Sequence, residues 1–469
     1  MSGPADDDGR RFRTPLSPPF SSGDEPAPPS DHGYGFCREA LTARDAAALV
    51  HVADRSDPDQ RYLTRLAGPD RPYAFVHDGE RATLLAPSLY VAEARRTFPG
   101  DEVLGPDGTP GPADGHPAER VAALLERRLG DDAAVDGDGD GDSEGGPDDA
   151  RPRPTLLVPR QLPHDAAVYL ERAGFRLAST DAVVEARTTK TGAEVTAVRR
   201  AQTAAADGVA RAAAVLADAT PAEPGAVDGL AATATDRGPP SDPAPDDAEG
   251  DPAPVLLGDD ETLTTGRLRR AVDATLAAAG VDPAGNTVVA SGAACRDLHY
   301  RGDRPIRAGE TVVVDASPRG PAGYHGDCTR TFVVAGGGGW ERRAHVAVVA
   351  ARRAALDAVE PGVPARRVHE AAAAELSAYG FPADYDGEEG FVHSVGHGVG
   401  LALHEAPRMR SGAPLRTGAT LAIEPGVYDP SVGGVRVEDV VVVTDDGPEL
   451  LVERPTGLSP AAFVEPDWE

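Results

Sequence analysis

Three histidines lie close together in a glycine-rich segment near the C-terminal end of the chain, at His393, His397 and His404. Residues 393–405 read His-Ser-Val-Gly-His-Gly-Val-Gly-Leu-Ala-Leu-His-Glu, and the glycines break any regular helix while letting the backbone approach a ligand closely. Clustered imidazoles on such a backbone are typical of a metal or catalytic site. The alternative is a turn whose histidines face solvent, and this segment alone does not decide between the two.

Four carboxylates elsewhere in the chain favour the metal site. Asp315 follows a Thr-Val-Val-Val run, and Asp327 opens the next predicted strand, so that a hairpin would bring the two together. Glu424 ends the apolar run Thr-Leu-Ala-Ile, and period-two alternation places Glu438 and Arg436 on one face of a later strand. A lone carboxylate in a buried run is costly, and like charges this close need a cation between them. The four acids are therefore expected at strand positions that face one interior.

The set of candidate ligands predicts a centre with two divalent metal ions. Two such ions cancel four carboxylate charges, and a neutral His397 completes a set dominated by oxygen. These ligands suit Mn²⁺, Co²⁺, Fe²⁺ or Zn²⁺, with the carboxylates favouring Mn²⁺. Two neighbouring ions can hold a hydroxide and polarise a carbonyl, so the predicted chemistry is hydrolysis. The alternative is that each acid separately forms a salt bridge or caps a turn.

These motifs resemble the pita-bread metallopeptidases, which include methionine aminopeptidases, Xaa-Pro aminopeptidases, Xaa-Pro dipeptidases (prolidases) and creatinases. The resemblance covers about residues 186–453. The matching motifs are Asp315, Asp327-Cys-Thr-Arg-Thr-Phe, Gly396-His397-Gly-Val-Gly, His404-Glu405, Ile423-Glu424-Pro-Gly and Arg436-Val-Glu438-Asp, together with an entry motif Ala186-Arg187-x-x-Lys190-x-x-x-Glu194 similar to that of the proline-directed members.

The resemblance implies a role for each metal ligand. Asp315 and Asp327 would chelate one ion. Asp327 and Glu438 would bridge both ions, while His397 and Glu424 would bind the other. Glu424 would also act as the general base toward the water between the ions.

The resemblance also implies roles on the substrate side. His299, in Asp-Leu-His-Tyr, matches a histidine that contacts the substrate near the scissile bond. His404 matches the residue that stabilises the tetrahedral intermediate. His393 and Arg436 match residues typical of the proline-directed branch. His325, close to Asp327 but in a predicted loop, is expected to be exposed to solvent.

The elements that position these residues fall into two predicted domains, and the predicted fold class is α+β. By resemblance, the second domain is a pita-bread (creatinase/aminopeptidase-like) catalytic domain, and the first is a smaller α/β domain of the creatinase type. The predicted boundaries are a disordered acidic, Pro-rich tail at 1–30, the N-terminal domain at 31–185 with an acidic insertion near 131–153, the catalytic domain at 186–455 with an acidic loop near 234–258, and a C-terminal tail at 456–469.

Hydrophobic periodicity predicts the individual elements. Leu41, Ala46, Leu49 and Val52 have helical spacing, and a hairpin is predicted around Asp78-Gly79. In the second half, the predicted strands are residues 287–290, 310–315, 329–334, 420–423 and 435–444, and the predicted helices are residues 193–217, 264–279, 340–359 and 364–379.

Composition excludes several classes of protein. The formal net charge of -30 opposes binding to nucleic acid, because that affinity depends on Lys and Arg neutralising phosphates. The chain contains no run of about 18 apolar residues that could span a membrane. Its N-terminus lacks the apolar stretch of an export signal, and its three cysteines are too few for a disulfide framework, so a cytoplasmic protein is expected.

Arginine supplies almost all of the basic residues, since Lys190 is the one lysine in the chain. An acidic surface with almost no lysine resembles proteins of halophilic cells, where concentrated salt screens self-repulsion. A GC-rich genome would explain the arginines but not the excess of aspartate.

The resemblance implies a dinuclear metal-dependent hydrolase that cleaves the peptide bond before proline, as an Xaa-Pro aminopeptidase or an Xaa-Pro dipeptidase. The separate N-terminal domain, His393 and Arg436 favour this function over that of a methionine aminopeptidase. The alternatives are an aminopeptidase of other specificity and a non-catalytic peptide-binding relative. A homodimer is expected by analogy with related enzymes. The sequence does not separate dipeptidase from aminopeptidase.

Overall fold

The computed structural model describes residues 33–111, 115–135, 154–222, 253–336, 338–384 and 387–464. Two compact units are present, Pro26–Ala193 and Glu194–Glu469. The predicted tail at residues 1–30 and most of both acidic segments lie outside the described residues. None of the described helices is long and apolar enough to cross a membrane.

The first unit is a six-stranded sheet with helices packed against it. Its strands are β1 (Ala48–Ala53), β2 (Tyr73–His77), β3 (Ala82–Leu85), β4 (Glu102–Leu104), β5 (Thr155–Pro159) and β6 (Arg176–Thr180). Its helices are α1 (Gly35–Arg44), α2 (Pro58–Thr64), α3 (Val91–Thr97), α4 (Pro117–Val135), α5 (His164–Arg172) and α6 (Ala182–Thr188). The strand order is β4-β3-β2-β1-β5-β6, antiparallel from β1 to β3 and parallel at both ends.

The helix predicted from the spacing of residues 41–52 is wrong beyond Arg44. Helix α1 ends at Arg44, Asp45 takes up a left-handed conformation with φ of 46°, and strand β1 follows. Every residue of β1 is buried, as expected for a central strand, and periodicity cannot separate such an apolar run from a helix. The predicted hairpin is confirmed, since β2 and β3 pair antiparallel with His77 opposite Ala82.

The second unit contains several small sheets and five described helices. Its helices are α7 (Gly192–Asp218), α8 (Thr265–Ala278), α9 (Gly339–Asp357), α10 (Arg366–Ala378) and α11 (Pro460–Val464). Its strands are β7 (Thr220–Pro221), β8 (Leu256–Gly258), β9 (Glu261–Thr262), β10 (Val288–Ser291), β11 (Thr311–Ala316), β12 (Cys328–Val333), β13 (Gly396–Gly398), β14 (Glu405–Arg408), β15 (Thr420–Ile423), β16 (Gly426–Asp429), β17 (Gly433–Arg436), β18 (Asp439–Thr444) and β19 (Gly447–Leu450).

Two helix pairs support two antiparallel sheets in this unit. Helices α7 and α8 share one apolar core with the sheet β10-β11-β12, in which Leu276 and Val314 are fully buried. Helices α9 and α10 share a second core with the sheet β14-β13-β15-β18-β19, in which Leu376 and Leu421 are fully buried. The predicted helices at 340–359 and 364–379 are thereby confirmed as α9 and α10.

The strand predicted at residues 435–444 is in fact two strands. Strand β17 pairs with β16 and ends at Arg436, whereas β18 pairs with β15 and begins at Asp439. Between them, the Val437 N–H donates to the Pro425 carbonyl at 3.4 Å and the Glu438 N–H donates to the Thr329 carbonyl at 3.0 Å. The chain therefore changes partner strands at Glu438, and the apolar pattern hides the change because it continues on both sides.

A buried ion pair joins the two sheets close to this break. Arg330 on β12 is 0% exposed and donates to the Asp439 carboxylate at 2.8 Å. It also donates to the carbonyls of Glu438 at 2.6 Å and Pro455 at 2.7 Å. Arg352 on α9 donates to the second oxygen of Asp439 at 2.6 Å. The Arg330 guanidinium thus holds the start of β18 against β12.

We expect Arg330→Met to destabilise the metal-free protein strongly. The substitution leaves Asp439 with Arg352 alone and removes the buried donor of the Glu438 and Pro455 carbonyls. Breaking a buried ion pair of this kind costs about 3–5 kcal/mol. The melting temperature should fall by on the order of 10 °C in a thermal unfolding scan.

Arg353→Met is the matched control, because Arg353 is exposed and lies 4.0 Å from Asp357. An exposed pair of this kind contributes at most about 1 kcal/mol. Equal shifts in the two variants would contradict a structural role for the Arg330 network.

Candidate metal centre

The predicted acids and His397 converge between the two sheets of the second unit. Asp315 lies within β11, and Asp327 immediately precedes β12. Glu424 directly follows β15, Glu438 directly precedes β18, and His397 is the middle residue of β13. Three of the four acids therefore lie at strand ends rather than within strands, where the backbone leaves its pairing and the side chain can enter a shared space.

The side chains approach one another at distances suited to a metal site. Ligand atoms of Asp327, His397 and Glu438 all lie within 4.8 Å of one another. The His397 Nε2 atom is 3.5 Å from an oxygen of Asp327 and 3.5 Å from an oxygen of Glu424. Four of the five predicted ligands are thus linked directly by these distances.

The His397 ring directs a lone pair at the acids. Its Nδ1 lies 3.1 Å from the Gly398 carbonyl, which can only accept, so the ring proton belongs on Nδ1. Burial, assisted by neighbouring His404, lowers the pKa of His397 to about 3, so the ring is neutral. Its Nε2 therefore presents a lone pair to oxygens of Asp327 and Glu424, each 3.5 Å away. Such an arrangement fits a divalent cation held by all three side chains.

Burial raises the pKa of three acids, Asp327, Glu424 and Glu438, well above the usual range. The neighbouring carboxylates raise these pKa values further. Two hydroxyl groups lower the pKa values of the acids to which they donate. Ser317 donates to Asp327 at 2.7 Å, and Thr329 donates to Glu438 at 2.6 Å. A bound cation would offset the remaining repulsion.

Arg436 supplies positive charge to this space. Its Nη2 donates to Asp315 at 2.7 Å, and its Nε lies 4.0 Å from a Glu424 oxygen. Arg436 is only 4% exposed, and its single charge faces four carboxylates. The charge balance of the described residues therefore leaves room for further cations.

Tyr428 connects Arg436 to His393. The His393 Nδ1 donates to the Ser394 carbonyl at 2.8 Å, so its Nε2 accepts from the Tyr428 hydroxyl at 3.1 Å. The same hydroxyl accepts from Arg436 at 3.0 Å. Burial lowers the pKa of His393 to about 3 and raises the pKa of Tyr428 to about 12. Tyr428 could not be predicted from the sequence, because its partners Arg436 and His393 lie in other elements.

His404 and His299 lie on the open side of the cluster. The His404 ring packs edge-on against His397 with centroids 4.2 Å apart. Partial burial lowers the pKa of His404, and the nearby His299 lowers it further. Both residues are exposed to solvent, so a ligand above the acids could reach both imidazoles.

His325 is buried, and its predicted exposure is wrong. It is 8% exposed, and its backbone N–H donates to the Gly400 carbonyl at 2.8 Å. The loop before Asp327 therefore packs beneath the histidine-rich segment instead of extending into solvent, and burial lowers the pKa of His325 to about 4.

We expect the buried acids of the metal-free protein to contribute less stability as the pH rises. Carboxyl groups with raised pKa values keep protons in the folded state that they lose in the unfolded state at about pH 4. Their contribution is therefore present below that pH and is lost as the pH rises through the folded pKa values. Between about pH 5 and about pH 8, the melting temperature of the metal-free wild type should decrease relative to that of Glu438→Gln.

Glu360→Gln, which removes an exposed carboxylate, controls for the loss of one charge and should follow the wild type. Parallel pH profiles of the wild type and Glu438→Gln would show that Glu438 does not titrate in this way.

The chain is similar to two groups of peptidases with known sequences. A Mycobacterium tuberculosis protein named "Probable dipeptidase PepE" is 38% identical over 194 residues, which is 40% of this chain and 50% of that protein. An Xaa-Pro dipeptidase of Pyrococcus furiosus is 37% identical over 174 residues, 36% of this chain and 48% of that protein. The matched stretch thus spans about half the length of these relatives.

The fold is shared with solved structures over nearly the whole chain. The structure of dipeptidase PepE from Mycobacterium ulcerans matches with a TM-score of 0.66 and 26% identity, covering 94% of this chain and 98% of that one. The described architecture is thus the pita-bread fold preceded by a smaller α/β unit. Residues 196–445, which include every predicted metal ligand, match the sequence profile of metallopeptidase family M24. The chain therefore belongs to metallopeptidase family M24.

Proposed function

We propose that this protein is a metal-dependent peptidase that cleaves the peptide bond before proline, as an Xaa-Pro dipeptidase or an Xaa-Pro aminopeptidase. The observation that supports it most is the buried cluster of Asp327, His397 and Glu438, with ligand atoms within 4.8 Å of one another, in a chain of a metallopeptidase family. The likeness to an Xaa-Pro dipeptidase supports the proline preference.

We propose that the site binds two divalent ions, with Mn²⁺ the preferred metal. Asp315 and Asp327 would hold one ion and His397 and Glu424 the other, while Asp327 and Glu438 would contact both. Carboxylate-rich sites favour Mn²⁺ over softer metals. When bound, the ions would supply Lewis acidity toward the peptide carbonyl and the attacking water.

Glu424 would act as the general base. Burial raises the pKa of its carboxyl group, which makes the carboxylate a better proton acceptor. His404 would donate a hydrogen bond to the oxygen that gains negative charge, and His299 would contact the substrate beside it. Both roles are supported by the solvent access of these rings on the open side of the acids.

Arg436 and His393 would act as a connected pair. The 2.7 Å contact between Arg436 and Asp315 supports a role for the guanidinium in orienting that carboxylate. Tyr428 lies between Arg436 and His393 and would fix both side chains for substrate binding.

We propose further that the enzyme works as a homodimer in the cytoplasm of a cell with high internal salt, with residues 186–455 as the catalytic domain. The cytoplasm is supported by three free and buried cysteines, Cys37, Cys295 and Cys328. The net charge of -30 supports a high-salt environment. The homodimer is supported by the family resemblance alone.

We expect the Mn²⁺-loaded protein in molar KCl to hydrolyse an Xaa-Pro substrate and to stop when a chelator is added. Release of free proline from an Xaa-Pro dipeptide but not of the first residue from an Xaa-Pro-Xaa tripeptide would assign a dipeptidase. The reverse pattern would assign an aminopeptidase. Product release is measured by chromatography with matched Xaa-Ala peptides as competitors.

Glu424→Gln is the matched variant, because it keeps the shape of the side chain and removes the general base. Its turnover should fall by at least about 100-fold while the protein stays folded. Two results with the wild-type protein would contradict the proposal. Turnover of Xaa-Ala peptides alone would indicate an aminopeptidase of other specificity. Binding of metal and peptide by the wild type without any turnover would indicate a non-catalytic relative.

A further inference from the structure

We infer that Gln202 is a positioning residue for the metal ligand Asp327. Gln202 lies on α7, far from Asp327 in sequence, and no sequence motif points to it. The inference rests on the proposed metal centre and adds to it a residue that acts through the backbone of a ligand.

The side-chain amide of Gln202 makes two hydrogen bonds to the backbone of Asp327. Its Oε1 accepts from the Asp327 N–H at 2.7 Å, and its Nε2 donates to the Asp327 carbonyl at 2.8 Å. This paired contact reproduces the exchange of two hydrogen bonds between opposite residues of antiparallel strands. It therefore fixes the peptide groups on both sides of the Asp327 Cα.

The strand pairing itself does not reach Asp327. The register of β11 with β12 begins at the pair Ala316 and Cys328, one residue after Asp327. The Asp327 backbone groups are buried at this point and need another partner. Gln202, which is 1% exposed, supplies both a donor and an acceptor there.

The chain before Asp327 also packs tightly on α7. A Cβ at Gly326 would lie 2.5 Å from backbone atoms of Ala201 and Gln202, so helix and loop touch backbone to backbone. Near the N-terminal end of α7, the Tyr324 hydroxyl donates to Glu194 at 2.6 Å, with both residues buried. Helix α7 thus contacts this loop at two separate places.

A small displacement at Asp327 would alter several ligand contacts at once. Its carboxylate accepts from Ser317 at 2.7 Å and lies 3.5 Å from His397 Nε2. In the proposed centre, Asp327 contacts both ions. Loss of a residue that orients a metal ligand typically weakens metal affinity by about 10–100-fold.

The direct test is Gln202→Met, which keeps the length of the side chain and removes both hydrogen bonds. Calorimetric titration of Mn²⁺ into the metal-free, full-length protein should show affinity weakened by about 10-fold or more. The control is Gln60→Met in the first unit, where a fully buried glutamine donates to the Tyr73 carbonyl at 2.9 Å. The control should bind Mn²⁺ like the wild type.

A second pair of variants tests the same contact while keeping Gln202. The added methyl group of Gly326→Ala would push the Asp327 backbone away from α7, so Mn²⁺ binding should weaken as in Gln202→Met. At Gly320, in the same loop, a Cβ would make ordinary contacts of 3.5 Å to the Tyr324 carbonyl and 3.7 Å to Ala201. Gly320→Ala should therefore bind Mn²⁺ normally.

The possible outcomes separate the two proposals. If the wild type binds no Mn²⁺, the metal centre is wrong and the role of Gln202 falls with it. If the wild type binds Mn²⁺ and Gln202→Met binds it equally well, the role of Gln202 alone is wrong. If Gln202→Met does not fold, Gly326→Ala decides by the same criterion, and failure of both to fold would assign a purely structural role and overturn the inference.

Discussion

The crowding of four carboxylates in one buried space is the constraint on which the second unit depends. Burial and mutual repulsion raise the pKa values of Asp327, Glu424 and Glu438, and Arg436 is the cation that faces them among the described residues. The repulsion between these acids is relieved by bound protons or by further positive charge, and the proposed pair of divalent ions would offset it. This crowding supports the proposal that the acids form one site.

Contacts to backbone groups hold these acids in place. Thr329 donates to the Glu438 carboxylate, while its own carbonyl accepts from the Glu438 N–H, so one strand residue fixes both ends of that ligand. Arg330 binds the Glu438 carbonyl from the next position on β12. Gln202 binds both backbone groups of Asp327. These contacts fix the positions of Asp327 and Glu438 within the fold.

The sequence predicted that four acids and His397 would converge, because Asp315 and Glu424 end apolar runs and Asp327 and Glu438 lie at predicted strand positions. It predicted α9 and α10 because both have clear helical periodicity. It could not identify Gln202, Ser317 or Tyr428, since their partners lie in other elements and such contacts leave no local pattern. It also missed the strand break at Glu438, because valine-rich sequence lies on both sides of the break. The three histidines of the histidine-rich segment have different surroundings. His397 faces the acids, His404 lies toward solvent, and His393 accepts a hydrogen bond from Tyr428.

Anomalous diffraction from crystals of the Mn²⁺-loaded protein would test the dinuclear centre most directly. We expect two manganese peaks, both in contact with Asp327 and Glu438, one of them also beside Asp315 and the other beside His397 and Glu424. A single peak, or peaks away from these side chains, would contradict the two-ion centre.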